Sequence, residues 1–132
     1  MTSVAWSRSC SSAEGSSTLY AAAGSSVHAF DLRVDSIVLS TAAQCCSFNT
    51  DEINQIDVHV DMYGSDVIAA ADDSGAVCLI GGFGTAEASL MKVLRKHTMF
   101  AYTVAFRPGH IRGLELVSGG FDCMMYNWCV CL

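Results

Sequence analysis

The chain has 132 residues, enough for one domain of ordinary size, and is 52% hydrophobic against 15% charged, which excludes a disordered acidic tail. The formal net charge is −6 and the seven Lys and Arg residues are scattered, so the basic stripe that binds phosphates is missing and nucleic acid is not an expected partner. No apolar run approaches the ~18 to 20 residues of a membrane span, and Met1 to Arg8 shows no basic stretch leading into an apolar one, so a cytoplasmic or nuclear protein without a membrane partner is expected.

Short apolar runs between turn residues predict strands throughout. Val4-Ala5-Trp6 comes first. Leu19-Tyr20-Ala21-Ala22 and Val27-His28-Ala29-Phe30-Asp31 flank the turn Gly24-Ser25-Ser26, and Ser36 to Ser40 offers a fourth strand. Ile56-Asp57-Val58, Val67-Ile68-Ala69-Ala70 and Val77-Cys78-Leu79-Ile80-Gly81 follow, the last two joined by Asp72-Asp73-Ser74-Gly75. Ala86 to Lys96 has the composition of a short helix. Its place after three strands predicts a strand over Ser89 to Leu94 instead, and Lys92 and Arg95 suit an outer edge. Val104-Ala105-Phe106 precedes a hairpin in which Leu114 to Val117 runs through Ser118-Gly119-Gly120-Phe121-Asp122 into a return strand, Cys123 to Trp128.

These runs are copies of one unit. The first strands, at Val4, Ile56 and Val104, are 52 and 48 residues apart. The second strands align Leu19 with Val67 and Glu115, and Ala22 with Ala70 and Ser118. In the third, Phe30, Ile80 and Trp128 fall in register, 50 and 48 residues apart. A four-stranded unit of ~40 to 50 residues is the signature of a propeller blade. The expected fold is all-β: three consecutive four-stranded antiparallel blades in an arc, with repeats over about 1–33, 34–81 and 82–132.

The third copy carries family marks. Lys96-His97 stands where a Gly-His pair is usual, and Asn127-Trp128-Cys129 covers a Trp-Asp position. Ser118 precedes Asp122 by four residues, and Asp122 precedes Trp128 by six. This set resembles the structural tetrad of WD-repeat β-propellers. The resemblance implies that His97, Ser118, Asp122 and Trp128 clamp three strands of one blade. The other copies depart from it. Phe30-Asp31 replaces Trp-Asp in the first, whose turn has no acid, and in the second Ala70 takes the Ser place and Ile80-Gly81 the Trp-Asp place. The third unit is therefore expected to be the most stable. Leu19-Tyr20-Ala21, Glu52-Ile53-Asn54, Asp72 to Ala76, Leu94 to His97 and Val104 to Pro108 are also similar to the central repeats of one seven-bladed member of the family.

Ser, His and Asp allow a hydrolase, but no G-x-S-x-G elbow exists, and a His between a hydroxyl and a carboxylate also satisfies three buried groups structurally. Cys10, Cys45, Cys46, Cys78, Cys123, Cys129 and Cys131 lack paired zinc spacings and read as free thiols. His28, His59 and His110 show no ligand spacing, with His28 pointing outward on its strand and His110 in a loop. Asp51, Glu52, Asp57, Asp61, Asp66, Asp72 and Asp73 read as a solvated rim, with no calcium loop among them. Gly81-Gly82-Phe83-Gly84 reads as a flexible connection rather than a phosphate cradle. Neither a metal nor any other cofactor is expected.

Phe30-Asp31-Leu32-Arg33 is the surface candidate. It resembles the end of the motif by which WD-repeat substrate receptors dock on the propeller adaptor of cullin-four RING ubiquitin ligases, with the small residues Ala21-Ala22-Ala23 upstream. In that resemblance Arg33 emerges onto one ring face, where a guanidinium can pair with an adaptor carboxylate. The expected function is a non-enzymatic protein–protein interaction scaffold of this kind. The alternatives are a general WD-repeat scaffold without a ubiquitin link, and a propeller-type enzyme with acids on the innermost strands, where Asp57 is the single candidate.

Overall fold

The computed structural model describes residues 2–9, 16–33, 44–83, 87–109 and 113–131, with backbone alone at Ser16 and Arg33. Among these residues there is no helix and there are eleven strands: β1 (Thr2–Trp6), β2 (Ser16–Ala23), β3 (Ser26–Arg33), β4 (Gln44–Cys46), β5 (Ile53–Val60), β6 (Asp66–Asp72), β7 (Ala76–Gly81), β8 (Ser89–Arg95), β9 (Ala101–Phe106), β10 (Leu114–Gly120) and β11 (Met125–Val130). They form three antiparallel sheets in the orders β1-β2-β3-β4, β5-β6-β7-β8 and β11-β10-β9. The expected strand at Ser36 to Ser40 lies outside the described residues, and the described outer strand of the first sheet is Gln44–Cys46. The helix-like stretch near Ser89 is an edge strand because Leu94 is buried opposite Val77 while Lys92 and Arg95 stay in solvent. Ser118, Gly119 and Gly120 belong to strand β10 rather than to the turn that follows it.

The middle sheet decides the arrangement. Every residue of β6 and of β7 is buried. Ile68, Ala70, Cys78 and Ile80 pack with Tyr20, Ala22, Val27 and Ala29 of the first sheet. Val67, Ala69, Val77 and Leu79, on the opposite face, pack with Val104, Phe106, Leu114 and Leu116 of the third. A strand covered on both faces reads as a continuous apolar run, and so these two do.

Of the innermost strands, β5 adjoins both β1 and β9. β5 and β9 point backbone N–H groups away from their own sheets, and side chains of the preceding innermost strand accept from them. Ser3 Oγ accepts from Ile56 N at 3.2 Å. Gln55 Oε1 accepts from Val104 N at 2.9 Å, and Asp57 Oδ2 from Phe106 N at 2.7 Å. Asp57, the acid that an enzymatic reading would use, is thus occupied in joining β5 to β9.

The strand pairings correct one alignment. Across β1, β2 and β3 the row is Trp6–Leu19–Phe30, across the second sheet Val58–Ile68–Ile80, and across the third Phe106–Leu116–Trp128. Leu19 therefore stands with Ile68 and Leu116, one residue away from the sequence alignment, and Ala21 rather than Ala22 takes the place of Ser118. The cause is the turn. Ala22 pairs with Val27, whereas Ala71 pairs with Val77 and Gly119 with Met125, so the first turn is one residue shorter. A slip of one residue exchanges the two faces of a strand.

Two acids expected at a solvated rim, Asp66 and Asp72, are buried. Asp66 is 3% exposed and holds the first sheet to the second. Its carboxylate accepts from the Ser7 hydroxyl at 2.5 Å, Arg8 N at 3.0 Å, Ser9 N at 2.8 Å and the Tyr20 hydroxyl at 2.7 Å. Burial, then the hydrogen bond and charge of Asp66, push the Tyr20 phenol above its ordinary range, so it stays a donor. Gly81-Gly82-Phe83 is also packed rather than flexible. Phe83 is buried edge-on against Tyr20 with ring centroids 5.1 Å apart, and Gly82 (φ 86°) lets the backbone pass so close that a Cβ would lie 2.7 Å from Glu87 O. Gly84 lies outside the described residues.

Removing the Asp66 carboxylate leaves the buried Tyr20 hydroxyl and the less buried donors of Ser7, Arg8 and Ser9 without this acceptor. Asp66→Ala is expected to lower the unfolding free energy by about 2 to 3 kcal/mol, the cost of orphaning donors paired to a charge. Urea denaturation measures it, and a loss below ~0.5 kcal/mol, the scale of an ordinary surface change, would show that this carboxylate does not join the sheets.

Candidate functional site

The third sheet brings His97, Ser118, Asp122 and Trp128 together. Trp128 Nε1 donates to Ser118 Oγ at 2.8 Å, and His97 Nε2 lies 2.8 Å from the same oxygen. His97 Nδ1 is 3.0 Å from both Asp122 oxygens. Because an ionised carboxylate only accepts, Nδ1 carries the proton, and Nε2 accepts from the Ser118 hydroxyl. The result is one directed chain from indole through hydroxyl and imidazole to carboxylate. Ser118 is 1% exposed and its oxygen is engaged by two partners, which leaves it no approach to a substrate carbonyl.

The surrounding residues are fitted to this chain. Thr98 N and Met124 N donate to Asp122 at 3.0 and 3.1 Å. Burial acts to raise the pKa of Asp122, but the hydrogen bonds from His97, Thr98 and Met124 outweigh it, and the value falls below the ordinary aspartate range. Gly120 is required by contact: a Cβ there would lie 2.6 Å from His97 Nδ1, 2.8 Å from Asp122 Oδ1 and 2.9 Å from Phe100 O. Tyr126 packs edge-on against His97 at 4.7 Å, and Lys96 Nζ lies 4.7 Å from the same Tyr126 ring.

The second sheet holds a counterpart that its sequence does not announce. Asn49, 48 residues before His97, donates from Nδ2 to Asp72 Oδ2 at 2.8 Å and to Ala70 O at 3.2 Å. Asp72, fully buried, also accepts from Ser74 N at 2.9 Å and Ala76 N at 3.3 Å. An amide–carboxylate pair thus stands where the third sheet uses imidazole and carboxylate, and the acid sits at the strand end rather than in the turn. Because the middle sheet has its own polar anchor and is covered on both faces, the ground for expecting the third unit to be the most stable is removed. The usable signal was the 48-residue spacing combined with the polar type at position 49.

The strand end at Arg33 is built differently. Phe30 lies half-buried on the outer face of the first sheet, stacked on His28 at 6.4 Å with 25° between the rings. Asp31 is exposed, and Arg33 ends β3 paired with Ser16. His28 is therefore half-buried by a ring rather than free in solvent. His59 stacks on Phe106 of the third sheet at 5.3 Å. His110 and Cys10 lie outside the described residues. The described cysteines are free thiols, and burial pushes Cys46 and Cys78 up to about 11. Among the described residues no three His, Cys, Asp or Glu side chains converge as a metal site would need.

The repeat geometry has a counterpart among known proteins. The chain is 31% identical over 111 residues to the WD repeat-containing protein 53 homolog of Dictyostelium discoideum. The chain belongs to the WD-repeat β-propeller family. The match covers 84% of this chain and 28% of that relative, so the chain spans less than a third of the relative's length. No family model matches.

Ser118→Ala removes the acceptor of the indole and the donor to the imidazole together. It is expected to cost about 1 to 3 kcal/mol in urea unfolding, and less than that in a Trp128→Phe background, because one orphaned donor is then already gone. Additive losses would break the link between the two.

Acid provides an independent check on Asp122. Its native pKa is lowered, so its contribution is fully present above the unfolded value of 3.8 and is lost as pH falls through the native value. The stability difference between wild type and Asp122→Asn should be flat above about pH 5 and shrink below about pH 4. A difference unchanged on acidification would contradict this.

Proposed function

We infer that the chain is a non-enzymatic protein–protein interaction scaffold, and that it acts as a substrate-receptor element of a cullin-four RING ubiquitin ligase by docking on the propeller adaptor. One observation carries the scaffold reading: among the described residues, the hydroxyl and acids that an enzymatic reading would use are engaged internally, Ser118 by Trp128 and His97, Asp57 by Phe106 N and Asp66 by the first sheet. Membership of the WD-repeat family supports it. The adaptor rests on Phe30-Asp31-Leu32-Arg33, with Phe30 in register with Trp128 at the end of a third strand. The same reading sets the protein in the cytoplasm, the nucleus or both.

A general scaffold without a ubiquitin link is favoured by two features: Phe30 in place of Trp, and a turn at Gly24-Ser25 that holds no acid. Pull-down with the adaptor separates the two. Arg33→Ala is expected to reduce recovery of the adaptor by at least about tenfold, as for loss of a bidentate contact of about 1.4 kcal/mol or more. Equal recovery of both proteins would reject docking through Arg33.

A further inference from the structure

The middle sheet is covered on both faces, so what it still exposes at its strand ends does not depend on a neighbouring sheet. Its β5–β6 turn, Asp61 to Ser65, carries the two most exposed large apolar side chains among the described residues, Met62 at 79% and Tyr63 at 85%. The turn is held firmly. Asp61 Oδ1 accepts from Tyr63 N at 2.8 Å and from Ser65 N at 2.9 Å. Asp61 N donates to Ser65 O at 2.9 Å, and Gly64 N donates to Asp61 O at 3.1 Å. Gly64 supplies the left-handed backbone (φ 82°) that closes the turn. Met62 and Tyr63 are thus presented in a fixed arrangement, and a partner that buries them has little loop ordering to overcome.

Two arginines share this end of the strands. Asp66, directly after the turn, accepts from Arg8 N at 3.0 Å, which sets Arg8 at the foot of the turn. The Arg8 side chain is 60% exposed, with Asp57 Oδ1 4.0 Å away. In the first sheet Ser7 N donates to Thr18 O, and Thr18 pairs with Asp31. Beyond that row the chain runs on to Arg8 at one strand and Arg33 at another, two strand spacings or about 10 Å apart. We propose that Arg33, Arg8 and the Met62–Tyr63 turn form one docking surface for the propeller adaptor, with Tyr63 and Met62 as its apolar anchor. This rests on the adaptor reading above and extends it from one arginine to two sheets. Charge and continuity select the occupant. Arg33 is the residue which that reading pairs with an adaptor carboxylate, Arg8 adds a second guanidinium on the same rim, and Asp66 ties the turn to Arg8. The surface that fits has carboxylates beside an apolar pocket. Tyr, Met and Arg are the residue types enriched at the centres of such contacts.

Biolayer interferometry of this chain on immobilised adaptor tests the surface. Wild type is expected to bind, and Tyr63→Ala to weaken binding at least about tenfold, as for loss of a central interface contact. Met62→Ala is expected to weaken it in the same direction, and Arg8→Ala to reduce the salt dependence of the association rate. Met99, 54% exposed in the loop at the opposite ends of the strands, is the control, and Met99→Ala is expected to bind like wild type. Met62 and Tyr63 are so exposed that their truncation leaves the fold intact, which equal melting temperatures check. Wild type that does not bind the adaptor removes the adaptor reading and this surface together. Binding that Arg33→Ala weakens but Tyr63→Ala and Met62→Ala leave unchanged overturns this inference alone. Met99→Ala weakening binding as much as Tyr63→Ala also overturns it, because the contact is then not made at this rim.

Discussion

A sheet buried on both faces must be covered twice, and everything else in this molecule follows from meeting that demand for β5 to β8. The Ala and Val residues of β6 and β7 have little polar surface to offer water. They specify a layer between two others rather than the half-wet sheet of an ordinary antiparallel protein. The covering sheets are then committed. Each presents one apolar face inward, and the innermost strands come close enough for side-chain oxygens to accept neighbouring backbone N–H groups. Ser3, Gln55 and Asp57 are short or medium-length acceptors at the positions where such an edge would otherwise leave donors unmet.

The polar anchors show how one geometric task is met with different chemistry. Between the loop that enters a sheet and the hairpin of its second and third strands, the third sheet uses imidazole and carboxylate, and the second an amide and carboxylate. Both place a pair of acceptor oxygens where backbone N–H groups converge. Burying a carboxylate is tolerable only with such partners. Asp122 and Asp72 each have at least two backbone N–H donors. The aromatic arm of the third sheet adds packing that Ile80 supplies in the second by bulk alone.

Much of this was legible in the chain itself. The strands at Val77, Val104 and Met125 could be read because apolar runs end on turn residues, and the helix-like stretch at Ser89 was overruled by its place in the repeat. The register of β2 was not legible. Leu19-Tyr20-Ala21-Ala22 is apolar at every position, so no alternation marks which face is inward, and the deciding feature is a turn shorter by one residue. Asp66 was read as solvated because a lone carboxylate usually is; its donors are Ser7, Arg8, Ser9 and Tyr20, all more than forty residues away in sequence. Asn49 escaped notice because the family pattern directs attention to histidine there.

The Asp66 junction also fixes where opening of the molecule can be observed. Arg8 N and Ser9 N lie just beyond β1, where fraying would ordinarily expose them within the fastest exchange times. Here both donate into a buried carboxylate that belongs to another sheet. Their exchange with solvent is tied to separation of the first sheet from the second, not to loosening of the strand end beside them. Two amides beyond a strand end thereby become the timekeepers of a long-range event, and their protection measures the free energy that holds two sheets together.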